Sequence, residues 1–250
     1  MNEDEGMRIF LEIHQENPQE GPGDFVSTRR AFSLLKDLPP LPYILDAGCG
    51  PGRQTFDLSR LTNGNIVAVD FHRPYIDALQ RKSKALGLAQ QIAALLGDMA
   101  NLQFQPQTFD AIWSEGAIYN IGFKAGLIMW KPLLKKGGYV AVTEVAWLCS
   151  DLPDKLMTFW NSAYPQIQDI EGNIADLRAA GYQPAEHFIL PESAWWDYYR
   201  PIEKRVLRMK EKYNNNSGAM ALLETEIEEI DLYRKCSDYY GYVFFIGQAL

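Results

Sequence analysis

The sequence predicts an α/β fold built on a mostly parallel sheet, and three observations carry that expectation. Apolar, β-branched runs alternate with helix-length segments between Tyr43 and Val145, the pattern that βαβ units produce. A glycine-rich turn, Gly48-Cys49-Gly50-Pro51-Gly52, joins the first such run to the helix after it. Acidic residues, Asp46, Asp70 and Asp98, stand at or just beyond the ends of three successive strands, the edge at which open α/β sheets bind ligands.

Taken in order, residues 5–17 carry Met7, Phe10, Leu11 and His14 at helical spacing. Gly21-Pro22-Gly23-Asp24 breaks the chain, and Ser27 or Thr28 is expected to cap a helix offering Ala31, Phe32, Leu34 and Leu35 to a core. Residues 1–37 thus form an N-terminal helical cap. The first strand ends through Tyr43 to Leu45 and Arg53 to Leu61 is the next helix. Asn65 to Asp70 is the second strand, Pro74 to Leu86 a helix and Ile92 to Leu96 the third strand. Phe109 to Ser114 is the fourth strand, with a helix from Phe123 that Lys135-Lys136-Gly137-Gly138 ends, and Gly138 to Val145 is the fifth. Helices over Asp154 to Ala163 and Asn173 to Ala180 precede a strand from Tyr182 to Leu190. A helix beyond Pro201, a second from Ser217 to Lys235 and a last strand from Tyr242 to Ile246 complete the pattern. The excursion over 192–239 is longer than a hairpin needs, so it is expected to be a helical lid between strands six and seven.

Composition narrows the function classes. The chain has 250 residues, 47% of them hydrophobic, and a formal net charge of -8 with no basic stripe. Nucleic-acid binding consists largely of neutralising phosphates, so DNA and RNA are not expected partners. No apolar stretch approaches a membrane span; Tyr139 to Leu148 is interrupted by Thr143 and Glu144. The acidic start lacks the basic region of a secretory signal. Cys49, Cys149 and Cys236 have neither disulfide nor metal spacing. A cytoplasmic protein without a bound metal is the expectation.

The glycine loop carries the chemistry. Glycines let backbone approach a ligand closely, because no Cβ intervenes. The spacing G-x-G-x-G is one residue short of the dinucleotide fingerprint. A carboxylate at Asp46 would repel a pyrophosphate, whereas it would attract an ammonium or sulfonium. Ile44 to Gly52 resembles motif I of the class I S-adenosylmethionine-dependent methyltransferases, and Trp113 to Phe123 is similar to a branch (methyltransferase type 11-like) acting on small molecules. The resemblance covers roughly the first three-fifths of the chain, through the strand around Val140. It implies a single domain over 1–250 with a Rossmann-like seven-stranded sheet, last strand antiparallel, and helices on both faces. It also implies S-adenosyl-L-methionine as cofactor and a small-molecule methyl acceptor.

Within that reading Gly48, Cys49, Gly50 and Gly52 form the turn under the methionine part, while Asp46 holds its ammonium or orients the loop. Gln54 and Thr55 reach toward its carboxylate, with Arg53 either joining them or facing solvent. Asp70 accepts both ribose hydroxyls, a bidentate task suited to a carboxylate, and Phe71 packs on the adenine edge or in the core. The resemblance implies that Asp98 of Gly97-Asp98-Met99 receives the adenine amine and that Met99 lies against the ring. Ser114 leaves the fourth strand where acceptor meets methyl group. Methyl transfer is mainly a matter of positioning, and a base is needed only if the acceptor must first lose a proton. Glu115 is the candidate base or a helix cap, Tyr119 an acceptor-ordering or packing ring, and Glu144 a base if it is buried. His187 is a lesser candidate. Trp195, Trp196, Tyr198, Tyr199, Tyr239 and Tyr240 either pack the lid or line an acceptor pocket. Glu224, Glu226, Glu228 and Glu229 read most simply as a solvated face. Two alternatives remain, an NAD-dependent oxidoreductase and a non-catalytic cofactor-binding interaction protein.

Overall fold

The computed structural model describes residues 3–14 and 17–250, with side chains from Glu5 onward in the first stretch. The end of the expected 5–17 helix, at residues 15 and 16, and the start at residues 1 and 2 lie outside the described residues. Five strands, β1 (Tyr43–Ala47), β2 (Asn65–Asp70), β3 (Ile92–Leu96), β4 (Phe109–Ser114) and β5 (Leu134–Trp147), run parallel. β7 (Tyr182–Ile189) pairs antiparallel with β8 (Tyr240–Ala249), which inserts antiparallel against β5. The order is β3-β2-β1-β4-β5-β8-β7, the doubly wound arrangement with the last strand reversed. One strand is additional to the seven expected. β6 (Gln168–Asp169) pairs with Ala146 and Trp147 of β5, because β5 runs on beyond Val142, where β4 stops at Ser114.

Both faces of the sheet are covered, so successive residues of each strand serve different cores. Along β2, Ile66 and Ala68 belong to the core covered by α2 (Phe25–Ser33), α3 (Arg53–Leu61) and α4 (Arg73–Ala85), while Val67 and Val69 belong to the opposite core, which includes residues of α5 (Phe123–Trp130) and α7 (Ile170–Ala179). The first core continues into α1 (Glu3–His14), α8 (Glu192–Lys212) and α9 (Ser217–Cys236), which bridge the strand ends. Salt bridging and hydrogen bonding tie the N-terminal helix to α8 and the residue after it: Lys212 and Tyr213 hold Glu12, and Arg205 donates to the Ile13 carbonyl at 2.6 Å. α6 (Asp154–Ala163) joins the same core through Leu156, with Phe159 and Trp160 packed against it.

Three local expectations are corrected. Asp24, not Ser27 or Thr28, caps α2, its carboxylate accepting the Ser27 N–H at 2.7 Å; an aspartate one turn earlier leaves both hydroxyl residues inside the helix. The helix from Phe123 ends at Trp130, and Lys135 to Gly138 already belong to β5. α8 starts at Glu192 and passes through Pro201. A proline removes one helical N–H and crowds the preceding turn, but Trp195, Tyr199, Ile202 and Val206, at helical spacing, bury one continuous face across it.

Candidate functional site

Strand order reverses between β1 and β4, and the cleft outside their carboxyl ends holds the glycine loop. The Gly48 and Cys49 N–H groups both donate to the Val69 carbonyl, at 2.9 and 3.0 Å, which locks the loop to β2. Gly48, Gly50 and Gly52 all take positive φ (73°, 52° and 92°), a region costly for residues with a Cβ. Their surroundings differ. A Cβ at Gly48 would lie 2.4 Å from the Ala117 Cβ, and one at Gly52 2.4 Å from Leu79 Cδ1, so these two serve close packing. A Cβ at Gly50 would make only ordinary contact, with Glu20 Cγ 3.7 Å away, in the space in front of the loop.

That space is a cavity of about 330 Å³ whose wall includes Gly48, Cys49, Gly50, Gln54, Asp70 and Phe71. Asp70 Oδ2 accepts the Gly50 N–H at 2.9 Å and Oδ1 accepts the His72 N–H at 2.8 Å. Each oxygen keeps a further lone pair for a ligand hydroxyl. Phe71, 79% exposed, stands at the mouth. Cys49 is buried and its thiol is pushed well up by burial, so it is an inert wall residue rather than a nucleophile.

Asp46 stands behind the loop and is fully buried. It accepts from the Thr55 hydroxyl at 2.5 Å and from Gln54 Nε2 at 3.3 Å, fastening the start of α3 to β1. Burial pushes its carboxyl up to about 7. Of the two roles expected for Asp46, the geometry supplies loop orientation; Thr55 likewise points to Asp46 and does not line the cavity. Gly52 and Ser114 also lie outside the wall, Ser114 with a buried, unpartnered hydroxyl. Gly97, Asp98 and Met99 are not part of it either. Asp98 is exposed and accepts the Ala100 N–H, and Met99 packs against α5 through Trp130, which donates to its carbonyl.

Glu115 is brought to the cavity but is already saturated. Its Oε1 accepts from Thr28 Oγ1 and Trp113 Nε1, both at 2.8 Å, and its Oε2 accepts from Arg53 Nη2 at 2.6 Å. A carboxylate so held joins α2, β4 and α3; it is poorly placed to abstract a proton. Arg53 faces this pair and Asp57, not solvent.

Glu144 departs from its expected place on the rim. Strand alternation puts Thr143 toward the loop, where its hydroxyl accepts the Gly116 N–H at 2.7 Å, and turns Glu144 to the face that buries Val142 and Ala146 under α5 and α7. Its carboxyl is buried beside the Tyr164 hydroxyl, with no hydrogen bond of good geometry to either oxygen among the described residues, and burial pushes it up to about 8 against the smaller opposing effect of that hydroxyl. The native state therefore holds this proton more tightly than the unfolded chain. The associated stability is complete below the ordinary value of 4.5 and is lost as pH rises to about 8. Glu144→Met is expected to keep turnover and to stabilise the protein by about 1–3 kcal/mol at pH 9, read as urea midpoints across pH. A variant that folds but has no turnover would return Glu144 to catalysis.

A second cavity, of about 180 Å³, adjoins the first and shares Glu20, Gly21, Pro22, Tyr119, Tyr198 and Glu229 with it. Tyr119 and two of the lid rings, Tyr198 and Tyr199, line it; Trp195 does too, but it is stacked 4.2 Å from Tyr233 as lid packing. Trp196, Tyr239 and Tyr240 do not line either cavity, and neither does His187. Sequence reasoning missed Glu20, Glu226 and Glu229, and ranks His14 below His187 as a base. Glu224 and Glu228 are exposed as a solvated face requires, but Glu226 and Glu229 turn inward to the first cavity. Their i, i+3 spacing was the available signal. The segment carrying Glu20 closes over the loop because Gly21 and Gly116 meet backbone to backbone, a Cβ on Gly21 falling 3.2 Å from Gly116 Cα.

A family model described as a methyltransferase domain matches residues 44–138. The chain is 27% identical over 193 residues to phosphoethanolamine N-methyltransferase 3 of Arabidopsis thaliana, covering 75% of this chain and 37% of that one. It is 29% identical over 113 residues to the sterol 24-C-methyltransferase of Eremothecium gossypii, covering 45% and 30%. The chain thus spans about a third of the length of these curated relatives. Its fold is that of the SAM-dependent methyltransferase from Thiobacillus denitrificans solved with S-adenosyl-L-homocysteine, with TM-score 0.82, 18% identity and coverage of 97% and 98%. Among the described residues no helix is long and apolar enough to cross a membrane, and no cluster of potential metal ligands occurs.

Proposed function

With residues 44–138 a methyltransferase domain and the whole chain folded as a class I S-adenosylmethionine-dependent methyltransferase, we propose that the protein transfers a methyl group from S-adenosyl-L-methionine to a small-molecule acceptor. The observation that carries this reading is one ligand-sized cavity lined by Gly50 and Asp70 that shares part of its wall with a second chamber. The residues fit the cofactor. Gly50 leaves room that any side chain would fill, and Asp70, already oriented by two backbone N–H groups, presents free lone pairs for vicinal hydroxyls. Gln54 and the loop backbone suit its methionine end, and Phe71 its base. Asp98 and Met99 contribute here through the β3 turn they build rather than through the wall.

The cofactor supplies an already activated methyl group, so the protein needs only to bring a nucleophile in line with it. Gly21-Pro22 and the lid tyrosines close over that position and exclude water. Among acidic groups on the wall, Glu115 is committed to Arg53, whereas Glu20 and Glu229 remain at the junction of the chambers. Tyr119, whose hydroxyl is pushed up by burial, stays a neutral donor that orders the acceptor. Its three unpaired cysteines are consistent with a reducing, cytoplasmic setting.

Calorimetric titration with S-adenosylmethionine, S-adenosylhomocysteine and NAD tests this proposal. Binding of the first two and no heat from NAD is the expected result; the reverse would favour a nicotinamide-dependent oxidoreductase. Asp70→Ala is expected to weaken cofactor binding by about 1–3 kcal/mol, the usual scale for losing a charge-assisted hydrogen bond. Unchanged affinity in the same titration would remove Asp70 from the site.

A further inference from the structure

We propose that the methyl acceptor is a small aliphatic amine, taken as its ammonium into the aromatic chamber beside Glu20 and Glu229. This rests on the methyl-transfer reading above and names the substrate class of that site. The charge of the chamber is the first argument. Glu20 and Glu229 line it, and among its described lining residues there is no Lys, Arg or His. In the neighbouring cavity His14 Nδ1 lies 2.6 Å from Glu20 Oε2 and the Tyr75 hydroxyl approaches the same carboxylate, while Oε1 is buried with no hydrogen bond of good geometry among the described residues. Glu229 Oε1 accepts the Tyr199 hydroxyl at 2.9 Å, and no cation pairs with it among the described salt bridges. Carboxylates held against apolar walls are costly unless a cation joins them.

The walls themselves are the second argument. Tyr119, Trp160, Tyr198 and Tyr199 surround the same space as the two carboxylates, and aromatic rings attract ammonium groups, more strongly once water is excluded. The same chamber repels carboxylate, phenolate and thiolate acceptors. Position is the third. Glu20, Tyr119, Tyr198 and Glu229 belong to both chambers, so an ammonium among them sits at the boundary with the proposed cofactor cavity.

The chemistry balances with the groups present. The amine lone pair forms the new C–N bond as the methyl C–S bond breaks, and the pair from that bond stays on sulfur, giving a neutral thioether. Whether primary, secondary or tertiary, the bound ammonium first gives up one proton to free that lone pair, and Glu229, whose carboxyl burial raises, is placed to accept it; a tertiary amine then becomes quaternary.

Binding tests the inference without turnover. Protein saturated with S-adenosylhomocysteine is titrated with tetramethylammonium and, separately, with tert-butanol, an uncharged molecule of similar shape. The cation is expected to bind at least about tenfold more tightly, the scale of one desolvated cation–π contact, and to perturb tryptophan emission. Glu20→Gln and Trp160→Leu should each weaken the cation about tenfold. Trp160, which lines only the aromatic chamber, should leave S-adenosylhomocysteine affinity within about twofold when changed, which also reports a folded protein. Equal binding of cation and alcohol, or neither binding to protein that holds S-adenosylhomocysteine, overturns the amine assignment and leaves the methyl-transfer reading intact. Failure of S-adenosylhomocysteine itself to bind overturns both.

Discussion

Gly50→Val is expected to abolish S-adenosylmethionine binding and leave a folded protein, whereas Gly52→Val is expected to damage the fold. Both residues have positive φ, so either valine carries left-handed strain of at least about 1–2 kcal/mol. Beyond that their fates separate. At Gly50 the new Cβ stands on the cavity wall and meets nothing of the protein closer than Glu20 Cγ at 3.7 Å. It takes the place of ligand, and a loss of roughly 3 kcal/mol, about a hundredfold in Kd, is a lower bound. At Gly52 the Cβ collides with Leu79 at 2.4 Å, inside the contact of α3 with α4, which adds about 1–3 kcal/mol of overpacking. Calorimetric affinity and Tm, measured on both variants, check the pair. A Gly50→Val protein that still binds S-adenosylmethionine would sink the assignment of this cavity.

Glu115→Ala is expected to be the most destabilising single change near the site. The Glu115 and Arg53 side chains are 3% and 15% exposed, and removing the carboxylate leaves a guanidinium with only Asp57 beside it. It also strips the Trp113 indole N–H and the Thr28 hydroxyl of their shared acceptor oxygen. Breaking one side of a buried ion pair costs about 3–5 kcal/mol. In a chain of 250 residues that is a fall in Tm of roughly 6–20 °C. Glu115→Gln keeps an acceptor for Trp113 and Thr28 and should lose less. Should the glutamine variant be stable but lose all turnover, the proton-abstracting role would belong to Glu115 after all.

Two carboxylates, one just past the end of β4 and one on β5, show what a one-dimensional pattern reaches. Glu115 and Glu144 both follow or end apolar runs and both read as candidate bases. Which face of β5 receives Glu144 depends on register with β4 and β8, and the run Tyr139 to Ala146, apolar at nearly every position, does not reveal it. A strand buried on both sides loses the alternation that would mark its inward face.

The sheet, its helical cover and the glycine loop were determined by sequence alone, because they follow from local periodicity, turn chemistry and the residue types at strand ends. Gly48, Gly50 and Gly52 look equivalent there; only the tertiary structure decided that Leu79 and Ala117 claim two of them and the cavity the third. The same holds for the lid. Pro201 suggested a boundary, yet burial of one side of α8 outweighed it. Glu226 and Glu229 looked solvated, yet the packing of α1 and α8 against α9 turned them inward. Distances between residues some 200 positions apart, such as Glu20 and Glu229, are set by how whole helices dock, and no local pattern encodes that.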